Sequence, residues 1–283
     1  MASRLNDDFK SEHSLNIMKF TSEQLTGYRA DGYTTAPHFF DAREVAAMQA
    51  ELQRFKDEGL LRNIATAGDG KTVSTTVANL QICPIAPRSE LFRALGFADK
   101  VVHAISQLIG DPVVWQLDQI FLKPGGHGAG TSWHQDNAYF RIVDRRQGVG
   151  MWTAVHAATV ANGTMHVIPR GDAELLAHER DGGSDHHIKC VVDESRAVPI
   201  ELPAGGVLFF NYAVPHCTKG NTTDRERAGL ALHFLREEAV VKPENKIAVV
   251  SGPRSTHGVA EFGRDQRGEW NRQVKRLAEA VQA

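Results

Sequence analysis

A β-sandwich or barrel braced by N-terminal helices is the fold class that this 283-residue sequence predicts. Two patterns carry the prediction. Helix signals fill the stretch from Thr21 to Gly110, and from Val113 onward short β-type runs alternate with Gly, Pro and Asn punctuation. The last of these runs is two-faced, with Leu230, Leu232 and Phe234 on one side and Arg227, Gly229, Ala231 and His233 on the other. The apolar side suits packing against the helices. Small residues beside an inward arginine leave room for a ligand, whereas a purely structural sheet would fill that face with bulk. No internal repeat, low-complexity tract or flexible linker interrupts the chain, so residues 1–283 read as a single domain. Its expected parts are a loose lead-in (1–20), a mostly helical support (21–110), the β core (111–237) and an extension ending in a helix (238–283).

The elements follow in order. Residues 1–20 lack apolar periodicity. Thr21-Ser22-Glu23-Gln24 is a capping box with Thr21 as N-cap and Gln24 at N3, and the helix it starts should run to about Ala30 before Asp31-Gly32. A brief strand, Tyr33 to Ala36, leads into Pro37. Asp41-Ala42-Arg43-Glu44 repeats the start signal, and Val45, Met48, Leu52 and Phe55 at helical spacing predict an amphipathic helix up to Gly59. Residues 62–82 are polar and β-branched, with strands expected on either side of the Gly68-Asp69-Gly70 turn. Arg88–Leu95 and Asp99–Ile109 read as helices, the second closed by Gly110. The expected strands are Val113–Lys123, Gly150–Ala158, Thr164–Pro169, Gly206–Tyr212 and Arg227–Leu235, and a last helix spans about Arg264 to Val281.

Composition excludes several functional classes. A net charge of −2 with both signs interspersed offers no nucleic-acid or membrane surface. No run of eighteen apolar residues occurs, and the polar stretch from Met1 to Lys19 reads as neither signal peptide nor membrane span. Cys83, Cys190 and Cys217 are odd in number and scattered, which argues against a disulfide framework and suits a reducing cytoplasm. Nothing in the pattern specifies an oligomeric state.

The chemistry-bearing residues are His134, Asp136, His216 and Arg227. Two imidazoles and one carboxylate on a single face form the ligand set that holds a non-haem Fe(II) ion and leaves positions open for O2 and a co-substrate. One His-x-Asp triplet, roughly, is expected by chance in a chain with this many histidines, so its company decides. His134 and Asp136 are two apart, so on an extended segment both project to one side, while His216 comes from a distant strand end. Cys217 beside it would point to the opposite face. An arginine at a strand start is what a bidentate carboxylate needs as docking partner, here 2-oxoglutarate. Arg225 shares the face of Arg227, which is preferred for lying closer to the small residues that follow. Thr218 would share the side of His216 and add a hydroxyl to the same carboxylate, and Trp152 fits either pocket wall or core. Gln119 and Lys123 share one face of their strand, where a co-substrate pocket and a solvated edge fit equally; Gln119 is carried forward as a candidate. Asn162-Gly163 needs only a turn reading, and His186-His187, after a Gly/Ser/Asp-rich stretch, reads as a mobile loop over the barrel mouth. His156, Tyr139, Phe140 and His233 are candidates to face a small or medium substrate.

Several segments together carry a resemblance. Phe121-Leu122-Lys123-Pro124-Gly125 followed by Trp133-His134-Gln135-Asp136-Asn137-Ala138-Tyr139-Phe140 resembles the phytanoyl-CoA dioxygenase family, and Asn162 to Asp172 resembles that family's "NG…IPGSH" strand and turn. Glu23-Gln24-Leu25, Asp31-Gly32-Tyr33 and Phe39-Phe40-Asp41 resemble its opening helices. The likeness covers about residues 20–237. It implies a double-stranded β-helix (a cupin-like jelly roll) and an Fe(II)- and 2-oxoglutarate-dependent oxygenase acting on a small molecule. It also implies His134, Asp136 and His216 as iron ligands, and Arg227 on the distal carboxylate of 2-oxoglutarate, with Thr218 and Trp152 lining that pocket. Arg170 and Asp172 depart from the usual turn, and 175–200 carries nothing over. Halogenating relatives have a small residue at the carboxylate position, so Asp136 implies hydroxylation or another oxidation. The alternatives are a jelly-roll metal-dependent isomerase or lyase without oxygen chemistry, and a non-catalytic binding module.

Overall fold

The computed structural model describes residues 18–170 and 174–282. Most of the expected lead-in, 1–17, and Gly171 and Asp172 of the expected turn lie outside the described residues. Helix α1 (Ser22–Asp31) starts at the capping box: Thr21 Oγ1 accepts from the Gln24 amide at 3.2 Å and the Thr21 amide donates to Gln24 Oε1 at 2.9 Å. It ends where Gly32 turns left-handed at φ 83°. Strand β1 (Tyr33–Ala36) follows, then α2 (Ala42–Asp57), whose Val45, Met48, Leu52 and Phe55 are buried as their spacing predicts. The second capping box has a longer reach. Glu44 closes it on the Asp41 amide (2.8 Å) and also meets Lys100 (2.6 Å) and the Trp270 indole N–H (2.7 Å), so one carboxylate joins three helices.

The chain continues through β2 (Arg62–Asn63), β3 (Leu80–Ile82), α3 (Glu90–Leu95), α4 (Asp99–Ile109) and β4 (Val113–Lys123). Next come β5 (Thr131–His134), α5 (Asn137–Phe140), β6 (Gly148–Ala154), β7 (Met165–Val167), β8 (His178–Arg180), β9 (Ile188–Cys190) and β10 (Val198–Ile200). The last elements are β11 (Val207–Asn211), β12 (His216–Thr218), β13 (Arg227–Arg236), β14 (Ala248–Val249), α6 (Val259–Phe262) and α7 (Glu269–Gln282). Among the described residues, no helix is long and apolar enough to cross a membrane.

The strands form mainly antiparallel sheets. The larger runs β1-β11-β6-β13-β4-β3-β2, with β14 also on β4; the smaller runs β10-β7-β12-β5; β8 and β9 form a hairpin. Strands from the expected helical support and from the C-terminal extension therefore complete the larger sheet. One face of that sheet packs under α2, α3, α4 and α7: Trp115, Ile120, Met151, Phe209, Leu230, Leu232 and Phe234 join helix side chains in one buried cluster. The other face looks toward the smaller sheet, where Trp152, Leu208, Phe210 and Ala231 meet Met165 and Val167. β4 changes phase within its length. His233 pairs with Leu117 but Phe234 pairs with Trp115, so Gln116 bulges and both Gln116 and Leu117 face the cavity.

Candidate metal centre

A cavity of about 770 Å³ opens between the two sheets, and His134, Asp136 and His216 stand in its wall with one ligand atom each within 4.8 Å of the others. His134 ends β5 and His216 begins β12, and the two are direct cross-strand partners. Asp136 reaches the same point differently from expectation. The segment is not extended throughout: Asp136 adopts helical angles (φ −59°, ψ −32°) and begins the turn of α5. A strand end followed by a turn, rather than a period of two, thus brings its carboxylate beside the imidazoles. Asp136 Oδ1 lies 3.8 Å from His134 Nε2 and 3.6 Å from His216 Nε2.

Both imidazoles are held in one tautomer by the backbone. His134 Nδ1 meets the Ser132 carbonyl at 2.8 Å and His216 Nδ1 meets the Val214 carbonyl at 3.0 Å. With the proton on Nδ1, each Nε2 lone pair faces the other donors, as a metal ligand requires. Burial keeps the rings neutral: it pulls His134 down to about 3 and His216 down to about 4. These three side chains could hold a transition-metal ion. Between them Gln135 points away and is fully buried. Its amide N–H donates to His178 Nε2 (3.1 Å), its side chain donates to the Glu174 and Ala213 carbonyls, and it accepts from the Leu176 amide. That residue fixes the turn against 174–178 and the β11–β12 connection.

At another part of the cavity lie two buried cations. Arg227 and Lys123 are each 1% exposed and pair across β13 and β4. Lys123 Nζ bonds Thr218 Oγ1 (2.7 Å) and the Lys219 carbonyl; Arg227 bonds the Gly163 carbonyl while its Nε has no partner. Among the described residues, no carboxylate forms an ion pair with either cation. Burial lowers the Arg227 guanidinium to about 9, and burial followed by the Arg227 charge holds the Lys123 ammonium well below its ordinary value. Two desolvated positive groups without a counter-ion make a site complementary to a small dianion.

Thr218, Trp152 and Gln119 all line this cavity. Thr218 Oγ1 also accepts from the Thr131 amide at 3.0 Å, and Gln119 Oε1 accepts from Gln81 at 3.0 Å. The Arg227 guanidinium lies 5.5 Å from the Trp152 ring centre. Trp152 also corrects the reading of Gly229: a Cβ there would come within 2.5 Å of the indole nitrogen. That glycine makes room for Trp152, not for a ligand.

Other expectations change as well. Arg225 is exposed in the turn before β13. His156 does not line the cavity; its Nδ1 accepts from the Ala228 amide at 3.1 Å. Tyr139, Phe140 and His233 do line it. Cys217 packs with Trp133, Ile168 and Cys190 and is not part of the donor set. His187 is buried against Phe121 (ring centres 5.9 Å apart), and the segment from Gly182 to Asp185 is bonded to Ile64, Thr66 and Gly70 rather than hanging free over the mouth. The Asn162-Gly163 turn does more than reverse the chain, because its glycine carbonyl holds Arg227. Sequence spacing flags none of these backbone partners, since the pairing is between distant segments.

Residues 28–229 match the model of the phytanoyl-CoA dioxygenase (PhyH) family. The chain is 24% identical over 230 residues to an ectoine dioxygenase from Stutzerimonas stutzeri (strain A1501), covering 74% of each chain. It is 24% identical over 226 residues to a 2-aminoethylphosphonate dioxygenase from uncultured bacterium HF130_AEPn_1, covering 77% of this chain and 82% of the relative. The fold is similar to that of EctD from S. alaskensis, solved with 2-oxoglutarate and 5-hydroxyectoine, at a TM-score of 0.62 and 21% identity over 87% of this chain and 85% of that one. With a family match over most of its length, and a His-Asp-His cluster in the wall of a cavity between two antiparallel sheets, the chain belongs to the phytanoyl-CoA dioxygenase family.

Proposed function

We propose that the chain is an Fe(II)- and 2-oxoglutarate-dependent dioxygenase that uses O2 to hydroxylate or otherwise oxidise a small organic molecule, releasing succinate and CO2. The observation that carries this reading is the presence, in one cavity, of a two-histidine, one-carboxylate donor set and two buried cations with no carboxylate partner among the described residues. We read the two facing sheets as a double-stranded β-helix. His134, Asp136 and His216 would hold the iron, and the neutral, Nδ1-protonated imidazoles fit that role. When bound, iron and 2-oxoglutarate together supply the oxidising chemistry.

The rest is the work of this chain's side chains. Arg227 binds the distal carboxylate of 2-oxoglutarate, and Lys123 adds a second positive charge held in place by Thr218. Trp152 backs the guanidinium, and Gln119 lines the same wall. Phe121, Phe140, Met165 and Phe210 give the cavity an apolar part of its wall. A small substrate accords with the cavity size and with the ectoine and 2-aminoethylphosphonate named for relatives. An isomerase or lyase without oxygen chemistry would have no use for the buried cation pair. The test is succinate release in the presence of Fe(II), 2-oxoglutarate and O2: His134→Ala or Asp136→Ala should abolish it, and a variant that releases succinate at the wild-type rate would overturn the assignment.

A further inference from the structure

A third imidazole, outside the His-Asp-His set, stands against the carboxylate of that set. His233 lies on the cavity face of β13 and is 4% exposed. Its ring is 5.3 Å from that of Phe140 and 5.9 Å from that of Tyr212, and those two aromatic rings stack on each other at 4.6 Å. Packing therefore fixes where its nitrogens point. His233 Nδ1 is 3.5 Å from Asp136 Oδ2. Both atoms are buried, and neither has a hydrogen-bond partner among the described residues.

Two orphaned polar atoms that face each other inside a protein are rarely idle, because each carries the cost of lost hydration until they pair. The two carboxylate oxygens of Asp136 are, moreover, divided between neighbours. Oδ1 faces His134 Nε2 and His216 Nε2, and Oδ2 faces away from them toward His233. An unrestrained carboxylate can offer both oxygens to a metal ion. In an octahedral site that would occupy a position needed for the co-substrate or for oxygen.

We propose that His233 is a positioning residue for the metal centre: its Nδ1–H donates to Asp136 Oδ2 and restricts the carboxylate to single-oxygen ligation through Oδ1. This rests on the Fe(II) reading above. Phe140 and Tyr212 act one step further out, by clamping the imidazole in the donating orientation. The role differs from that of a substrate-facing histidine, which the position on the cavity wall would otherwise invite.

The experiment uses two full-length variants with opposite losses. His233→Phe keeps a ring between Phe140 and Tyr212 but removes the donor, whereas His233→Asn loses the ring but places an amide N–H near the position of Nδ1. Fe(II) affinity is measured anaerobically by calorimetry, without substrate, on proteins whose thermal unfolding shows that they are folded. Removal of such an outer hydrogen bond to a metal ligand should weaken Fe(II) about 10- to 100-fold in His233→Phe, with His233→Asn staying close to the wild type. Wild-type affinity in His233→Phe would overturn the proposal, as would an asparagine variant as weak as the phenylalanine one, because an amide donor at that position would then fail to restore affinity. A wild-type protein that itself binds no Fe(II) would sink the metal reading along with this one. Normal wild-type binding with indifferent variants would sink this inference alone.

Discussion

Replacing Arg227 with methionine should make the ligand-free protein more stable and its co-substrate binding much weaker. The guanidinium is fully buried, its Nε lacks a partner among the described residues, and its cross-strand neighbour on β4 is Lys123, not an acid. Burial draws its pKa from the ordinary 12.5 to about 9. For a base, this sign means that the unfolded chain binds the proton more tightly between those pH values. Stability therefore rises with pH across that window, and below it the full cost stands. At neutral pH the cost is about 5 kcal/mol, taking about 1.4 kcal/mol per pH unit.

Methionine removes that cost but leaves the Gly163 carbonyl without its donor and fills less space, which takes back about 2–3 kcal/mol. The net expectation is a gain of about 2–3 kcal/mol, in line with hydrophobic replacement of other buried charges. For a chain of this length that is a rise in Tm of about 2–6 °C. Loss of a bidentate, charge-assisted pair should meanwhile weaken 2-oxoglutarate by about 100-fold or more. Differential scanning calorimetry of the apo-protein and an anaerobic 2-oxoglutarate titration measure the two effects. A variant that unfolds more easily yet binds 2-oxoglutarate normally would refute the reasoning, because Arg227 would then be a structural residue.

Three further outcomes follow from other residues. Gln135→Leu strips the partners from the Leu176 amide and from the Glu174 and Ala213 carbonyls, so unfolding should become easier by about 2–4 kcal/mol; a melting curve like that of the wild type would contradict the tethering role. Gly229→Ala puts a methyl group within 2.5 Å of the Trp152 indole nitrogen, should cost about 1–3 kcal/mol and should shift the Trp152 fluorescence; unchanged emission and Tm would show that the indole is not confined. Asp118, whose carboxylate accepts from the Ile85 and Ala86 amides, is raised by burial from 3.8 to about 6. Its folded form holds the proton longer, so its contribution is complete below pH 3.8 and lost as pH rises to about 6. Asp118→Asn should therefore flatten the stability change across that window by about 3 kcal/mol, and parallel pH profiles for the two proteins would rule this out.

What the sequence disclosed depended on how local the signal was. Thr21 and Asp41 announce their helices within four residues, and both capping boxes form as read. β4 and β13 are long enough for alternation to show, and their apolar faces do meet the helices. The smaller sheet was largely hidden. β5, β7, β10 and β12 are three or four residues each, too short to display a period, and exist because distant segments pair. The β8–β9 hairpin escaped for the same reason. The His134, Asp136 and His216 cluster was readable from residue type and family pattern, although Asp136 arrives through a turn instead of an extended strand. His233 and Lys123 share strand faces with residues already singled out, so parity could point to them. Pairing His233 Nδ1 with Asp136, or Arg227 with the Gly163 carbonyl, required knowing which loops fold over the cavity.

The most direct test of the central claim is an anaerobic titration of the metal-free protein with Fe(II) and then 2-oxoglutarate, followed in the visible region. The account predicts a weak charge-transfer band on addition of 2-oxoglutarate to the iron-loaded wild type, and none for Arg227→Met at the same ligand concentration. Iron binding without any band on addition of 2-oxoglutarate, or no iron binding at all, would contradict it.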